Sequence, residues 1–398
     1  MSYPLPRKLE LPFWGGSRII LKRDAMLIRI FTDTGLKGFA PGPAHLRAQT
    51  EIRDVIAPFL VGKDPLKWRQ FGFTGSSEIC KTYKAVEIAL MDLVSKFEGC
   101  PISDLLGGRK RERIKLYGSA GMYMSPENYA IEAKGAQELG FSAYKFRPAL
   151  NPEGNLEILE GIRKATGDDM ALMIDGHTWW RMGDNSYTPD MVKELAKDMQ
   201  VYDPYWLEEP LLPEDLNAYS KLKEEKLAPI ASGEHEQDLA GFRDLIEKRA
   251  VDVVQMDVCC QGGYSGGNEI IDLAGKNGLK FAFHCWGTLL EVLAAAQLGI
   301  CFEGSVVEWL EYPCYSNRGR IGMYPFPLSD EILDEELEIE NGFLMVPVGD
   351  GLGVGIDEGV IEKYPYIPGP WSYFHLESPQ KTIAVTGDHS LKWLSQIK

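Results

Sequence analysis

Between residues 115 and 311, eight short apolar runs alternate with helical segments, and this rhythm constrains the chain more than any other feature. The runs span residues 115–118, 143–147, 171–175, 205–208, 228–234, 253–257, 280–284 and 305–311. Between them, apolar residues recur at helical spacing over 126–139, 155–165, 188–199, 239–249, 265–277 and 289–298. Strands separated by helices pair in parallel, because the chain must cross back over the sheet before the next strand starts. Eight is the number that closes such a sheet into a barrel.

The flanks have a different texture. Residues 26–31 and 37–40 read as strands around a Thr34-Gly35 turn, ended by Pro41-Gly42-Pro43. Residues 47–57 read as a helix stopped by Pro58, and 83–99 as a strong amphipathic helix stopped by Gly99. From about residue 325 the sequence is irregular and rich in Pro and Gly. The expected division is an N-terminal part of an α+β unit over 1–114, a barrel over 115–325, and a segment over 326–398 that rejoins the first unit.

Composition narrows the function classes. The 398 residues carry a net charge of −16, which disfavours nucleic acid, whose phosphates require a basic footprint, and disfavours an anionic membrane surface. The N-terminus lacks the apolar core of a signal peptide. The most apolar helical stretch, 288–302, is interrupted by Glu291 and is too short to span a bilayer. Seven cysteines, an odd number without zinc-type spacing, argue against a disulfide framework and for a reducing compartment. A soluble cytoplasmic protein is expected. Two motifs carry no chemistry on this reading: the 349–355 run (GDGLGVG) has no strand-to-helix context, and Cys259-Cys260 reads as small packing residues after a strand.

Seven of the eight runs end in a polar or ionisable residue: Arg147, Asp175, Glu208, Glu234, Asp257, His284 and Glu311. Their spacing of 23 to 33 residues is that of one βα unit, so each falls at the carboxyl end of its strand, where barrel enzymes place their chemistry. Any one alone reads more simply as a helix cap or turn residue. Seven in phase do not, since capping requires neither Glu nor His. Asp175, Glu208 and Glu234 are consecutive carboxylates, the donor type for a hard divalent cation, with Mg²⁺ favoured. Asp257 and His284 lie on adjacent strands, where a carboxylate fixes the imidazole tautomer and raises its basicity. His177, two residues beyond Asp175, points the same way if the strand continues, as a loop residue or a fourth ligand. Lys145 and Arg147 share a face by the same alternation, with a surface pair as the plain alternative.

These residues sit in motifs that resemble the enolase superfamily, specifically its mandelate racemase subgroup. The motifs are 85–108 (AVEIALMDLVSKFEGCPISDLLGG), 140–147 (GFSAYKFR), Ile174-Asp175, 207–210 (LEEP), 232–234 (SGE), Asp257 with Gly262-Gly263, 284–287 (HCWG), 310–313 (LEYP) and 343–353. The resemblance implies a (β/α)₇β barrel, of α/β class, with an α+β capping domain built from both chain ends. It implies Mg²⁺ held by Asp175, Glu208 and Glu234, removal of the proton α to a carboxylate, and an even-numbered homo-oligomer. A protonated Glu311 would donate a hydrogen bond to the developing enediolate.

The departure is Arg147, where the subgroup usually carries the second lysine of a Lys-x-Lys pair. Arginine does not deprotonate in proteins, so a base is missing on that face and racemisation loses its partner. The Asp175-x-His177 pattern with Asp257 and His284 is similar to the D-galactonate dehydratase type. An acid-sugar (aldonate or aldarate) dehydratase is therefore expected, with His284 as base and His177 or His284 as acid. An epimerase or racemase, or a non-catalytic sugar-acid binding barrel, are the alternatives. Trp179-Trp180 reads either as a sugar platform or as packing. Specificity is expected from loops over 12–20 and 41–45.

Overall fold

The computed structural model describes all residues except 14–15, 72–76, 182–184, 378–379 and 386–398. The chain opens with strands β1 (Ser2–Phe13), β2 (Gly16–Asp24), β3 (Met26–Phe31) and β4 (Lys37–Gly42). Eight barrel strands follow: β5 (Arg113–Met122), β6 (Ala143–Arg147), β7 (Ala171–Asp175), β8 (Pro204–Glu208), β9 (Ile230–Ser232), β10 (Val253–Met256), β11 (Lys280–Phe283) and β12 (Val307–Pro313). Then come β13 (Ile339–Glu340), β14 (Phe343–Met345), β15 (Ser372–Leu376) and β16 (Lys381–Val385). Neighbours from β5 to β12 pair in parallel, and β12 pairs with β5 from Trp309↔Lys115 to Pro313↔Ser119, so the sheet closes. A separate antiparallel sheet of order β1-β2-β15-β16 joins the two ends of the chain.

Alternation along the strands builds two layers. Outward residues such as Leu116, Phe146, Leu172, Leu207, Val254, Phe281 and Leu310 pack with the surrounding helices in the main core. Inward, one residue from each strand fills the lumen: Tyr117, Ala143, Met173, Trp206, Ala231, Val253, Ala282 and Trp309. Tyr117, Met173, Trp206 and Trp309 supply the bulk beside four smaller residues, and Tyr117 meets the Trp206 ring edge-on at 5.5 Å. The floor is therefore a packed plug with no through-pore. Two residues further along, on the same face, come Ser119, Lys145, Asp175, Glu208, Gln255, His284 and Glu311. The polar site is thus the next layer above an apolar floor.

Several expected boundaries move. The helix expected to stop at Pro58 runs through it, as Leu46–Glu51, a π turn over Ile52–Ile56, and Ala57–Leu60. The Ala57 N–H reaches the Ile52 carbonyl, and this widened turn relieves the clash that Pro58 would make with a regular helix. The helix Leu216–Glu224 was not foreseen; its Asp215 cap carries the start signal, but few apolar residues follow. The 12–20 segment is not a loop but the facing ends of β1 and β2, with register Pro12↔Ser17, and its tip lies outside the described residues. Residues 41–42 likewise belong to β4. The 349–355 run is a loop that packs on the helix Ser77–Glu98, where Asp92 accepts from the Leu352 N–H at 2.8 Å. Among the described residues, six cysteines are free and no helix is long and apolar enough to cross a membrane.

Candidate active site

Asp175 and Glu208 end β7 and β8 side by side, in register with each other. Glu234 reaches the same point by another route. β9 stops at Ser232, and Gly233 turns at φ +138° directly over the backbone of Gln255. A Cβ there would lie 2.1 Å from the Gln255 carbonyl oxygen, so only glycine allows this approach. Oxygens of Asp175, Glu208 and Glu234 then lie within 4.8 Å of one another.

This donor set fits a hard divalent cation. All three ligand types are carboxylate oxygen, and one Glu234 oxygen, Oε2, is buried without a hydrogen bond although His284 Nε2 stands 3.1 Å away. Burial, with Asp175, Glu234 and Glu311 nearby, pushes Glu208 up to about 8 against the pull of Lys145. Crowded carboxylates of this kind are relieved by a cation.

Lys145 and Arg147 are both buried, so the surface-pair alternative fails. Lys145 Nζ lies 2.6 Å from Glu208, 3.1 Å from Glu311 and 3.8 Å from Asp175. Burial works against its charge, but those three carboxylates outweigh burial and hold its pKa above the ordinary value. Arg147 Nε lies 3.1 Å from Asp175, and its other end donates to Ser119 Oγ and the Ala120 carbonyl, each at 3.0 Å. Its guanidinium stacks on Trp286 at 4.3 Å, and Arg23 of β2 approaches the same ring at 5.5 Å. Arg147 is therefore a fixed cation, tied to the end sheet through one indole.

On the far side of the lumen, His284 Nδ1 stands 3.4 Å from Asp257 Oδ2. Burial lowers the His284 pKa, but Glu234, Glu311 and the Asp257 hydrogen bond reverse this and raise it to about 10 from an ordinary 6.5. His177 is neither a solvent-facing loop residue nor placed as a fourth ligand. Instead its Nδ1 lies 2.6 Å from Asp175 Oδ1, so the imidazole is oriented by a proposed metal ligand, with that nitrogen engaged. Burial lowers its pKa, which favours the neutral ring.

The donor role open to a protonated Glu311 does not match the contacts it makes here. It accepts from Tyr117 Oη at 3.1 Å and the Cys285 N–H at 3.0 Å, beside the Lys145 ammonium. Burial raises its pKa, but Lys145, His284 and Arg147 more than offset this and lower it, so Glu311 is an ionised acceptor. Trp179 is fully buried and stacks on Tyr187, which rules out a sugar platform there. Trp180 donates to the Glu209 carbonyl.

Other residues were missed in the sequence. Gln255 and Trp206 donate to Glu208 Oε2 at 2.8 and 3.2 Å. Gln255 stands two before Asp257 on the inward face, a signal available from alternation. Beside the centre, Glu209, His235 and Arg181 form a chain: Glu209 Oε2 to His235 Nδ1 at 2.5 Å, and His235 Nε2 to Arg181 at 2.9 Å. The shared Glu-Glu and Glu-His dipeptides gave no hint of this link.

A closed parallel barrel with a buried acidic centre at its carboxyl ends, and an end sheet touching it, defines an α/β-barrel enzyme. The chain belongs to the enolase superfamily: residues 128–360 match the enolase C-terminal domain-like family and residues 7–107 the mandelate racemase/muconate lactonizing enzyme N-terminal domain. It is 29% identical over 380 residues to D-galactarolactone cycloisomerase of Agrobacterium fabrum, covering 91% of this chain and 97% of that one. It is 28% identical over 369 residues to D-xylonate dehydratase of Haloferax volcanii, covering 85% of each. Among solved structures, the 3,6-anhydro-D-galactonate cycloisomerase of Zobellia galactanivorans superimposes with a TM-score of 0.73 at 29% identity, over 92% of this chain and 98% of that one.

Proposed function

We propose that the protein is a Mg²⁺-dependent acid-sugar dehydratase acting on an aldonate or aldarate. The observation that carries this reading is the asymmetry of the site. A histidine–aspartate pair stands at the end of β11 and β10, whereas β6, three strands away around the barrel, offers only Lys145 locked among carboxylates and Arg147. One side can exchange a proton and the other can only hold charge. Racemisation needs two such sides and β-elimination needs one.

Held by Asp175, Glu208 and Glu234, Mg²⁺ would supply Lewis acidity toward the substrate carboxylate and neutralise Glu234, whose charge otherwise keeps a proton on His284. His284 then takes the C2 proton while Asp257 balances the imidazolium. Arg147 and Lys145 provide fixed positive charge facing the enediolate as negative charge gathers on the carboxylate oxygens. The C2–C3 double bond forms as the C3–O bond breaks, and the leaving hydroxyl departs as water with a proton from the His284 imidazolium, or from a His177 that has taken up a second proton in the substrate complex. The enol tautomerises to a 2-keto-3-deoxy acid, so atoms balance as loss of one water.

A cycloisomerase reading shares the first proton transfer, and the two cycloisomerases named above favour keeping it. There a ring C–O bond breaks in place of the C–OH bond, and no water is lost. The deciding experiment incubates the Mg²⁺-loaded enzyme in D₂O with panels of aldonates, aldarates, their lactones and anhydro acids. Formation of a 2-keto-3-deoxy acid from an open-chain acid is expected, and loss of turnover in Glu234→Gln. Conversion of lactones or anhydro acids alone would establish the cycloisomerase. C2 inversion without elimination would make it an epimerase, and binding without exchange or turnover would leave only a binding barrel.

A further inference from the structure

Two thiols and a carboxylate converge directly behind the proposed base. After β10 the backbone makes a π turn over Val258–Gly262, capped by Asp257. Asp257 Oδ1 accepts from the N–H groups of Cys259 and Cys260, each at 3.1 Å. The same turn places Cys259 Sγ at 3.2 Å from that oxygen and the two sulfurs 3.7 Å apart. One donor atom from each of Asp257, Cys259 and Cys260 lies within 4.8 Å of the others. Cys259 is buried, whereas Cys260 is partly exposed and provides the way in.

The chemistry of this trio differs from that of the carboxylate centre. Asp175, Glu208 and Glu234 offer oxygen only and suit Mg²⁺. Two sulfurs with one oxygen select a softer ion, and a tetrahedral d¹⁰ cation takes three such donors and keeps a fourth position for water. We propose that Asp257, Cys259 and Cys260 form a site for a thiophilic divalent cation of the zinc or cadmium type, and that filling it silences the neighbouring histidine.

The step involves no redox change. Two S–metal bonds and one O–metal bond form, and the two thiol protons pass to solvent. The cluster keeps one net negative charge, but that charge is spread over the two sulfurs and the cation, and the coordinated Asp257 becomes a weaker acceptor for the His284 Nδ1–H that it orients. Its Oδ1 is the oxygen engaged, while Oδ2 faces His284 Nδ1 at 3.4 Å. The effect on turnover rests on the reading of His284 as base; the binding itself does not.

The test titrates the Mg²⁺-saturated full chain with Cd²⁺ and follows the ultraviolet charge-transfer absorption of cadmium thiolate together with C2-proton exchange. The band should saturate at one equivalent while exchange falls by about tenfold or more, the scale on which partners of a site residue act. A chelating dithiol should reverse both. In Cys260→Ser, and separately in Cys259→Ser, band and inhibition should shrink together, inhibition being the ratio of rates with and without Cd²⁺ within one variant. A band of parental amplitude in both variants would overturn the site. So would inhibition without a band, which would place Cd²⁺ on the carboxylates. A saturated band with unchanged exchange would overturn the silencing. A band in an enzyme that turns over no sugar acid would leave the site standing and defeat the proposed function instead.

Discussion

Lys145→Met removes a buried ammonium that touches three carboxylates, at 2.6 Å from Glu208, 3.1 Å from Glu311 and 3.8 Å from Asp175. Breaking a buried ion pair by deleting one partner costs about 3–5 kcal/mol. Arg147 still faces Asp175 at 3.1 Å and Glu311 at 3.8 Å, so the loss falls mainly on Glu208. Glu208, already raised to about 8, takes up a proton more readily once the ammonium is gone, so the lower end, about 3 kcal/mol, applies to the metal-free protein, and the cycle is measured above pH 8. A cation held by Glu208 would take over much of the missing charge, and about 2 kcal/mol should return on loading. Because binding and stability are linked, that difference must appear as Mg²⁺ affinity about 30-fold tighter than in the parent. Urea midpoints in chelator and in saturating Mg²⁺, with calorimetric titration of the metal, measure both sides of this cycle. Equal destabilisation with and without Mg²⁺, at unchanged affinity, would show that Lys145 does not balance the carboxylates assigned to the metal.

Other consequences are equally direct. His284→Asn should stop both C2-proton exchange and dehydration, whereas His177→Asn should cripple dehydration and leave exchange measurable in D₂O; normal dehydration by the second variant would assign both proton steps to His284. Arg147→Ala should lower turnover by about tenfold or more, since a preorganised cation is lost, and Arg147→Lys should add slow C2 epimerisation, seen by chiral chromatography; a fully active alanine variant would exclude Arg147 from the chemistry. In the metal-free protein, His284 is raised from 6.5 to about 10, so its protonation stabilises the fold fully below pH 6.5, and this contribution disappears as pH climbs through 10. Urea midpoints in chelator should decline across that interval, and His284→Asn should flatten the decline; an identical slope in the variant would assign it to other groups.

The barrel was legible because its strands and helices repeat, and repetition averages out local ambiguity. The inward carboxylates, His284 and Arg147 were legible because alternation fixes which side of a strand a residue takes. Glu234 lies beyond its strand and depends on Gly233, yet its spacing still betrayed it. What escaped was set by contacts between distant segments. The protonation of Glu311 depends on Lys145 from β6 and Tyr117 from β5, which no local pattern around residue 311 reveals. The partner of His177 was two residues away, but only the turn after β7 shows that the ring folds back on Asp175. The strands of the end sheet were missed for a related reason. β1 carries three prolines, and β15 and β16 are short, so their pairing is decided by partners from the other end of the chain.

That end sheet also sets an order of events in time. β2 lies against β15, with Arg18 and Ser372 joined across 354 positions of sequence. During synthesis, every strand of the barrel has left the ribosome before β15 and β16 exist. The catalytic centre can thus be assembled while its cover is unfinished, and β2 must wait with an unpaired edge for almost the whole chain to be made. Long-range pairing of this kind is slow and exposes strands to wrong partners. The nascent protein is therefore most vulnerable after its active site has formed, and substrate or metal bound at that stage would shelter the barrel before the last strands arrive.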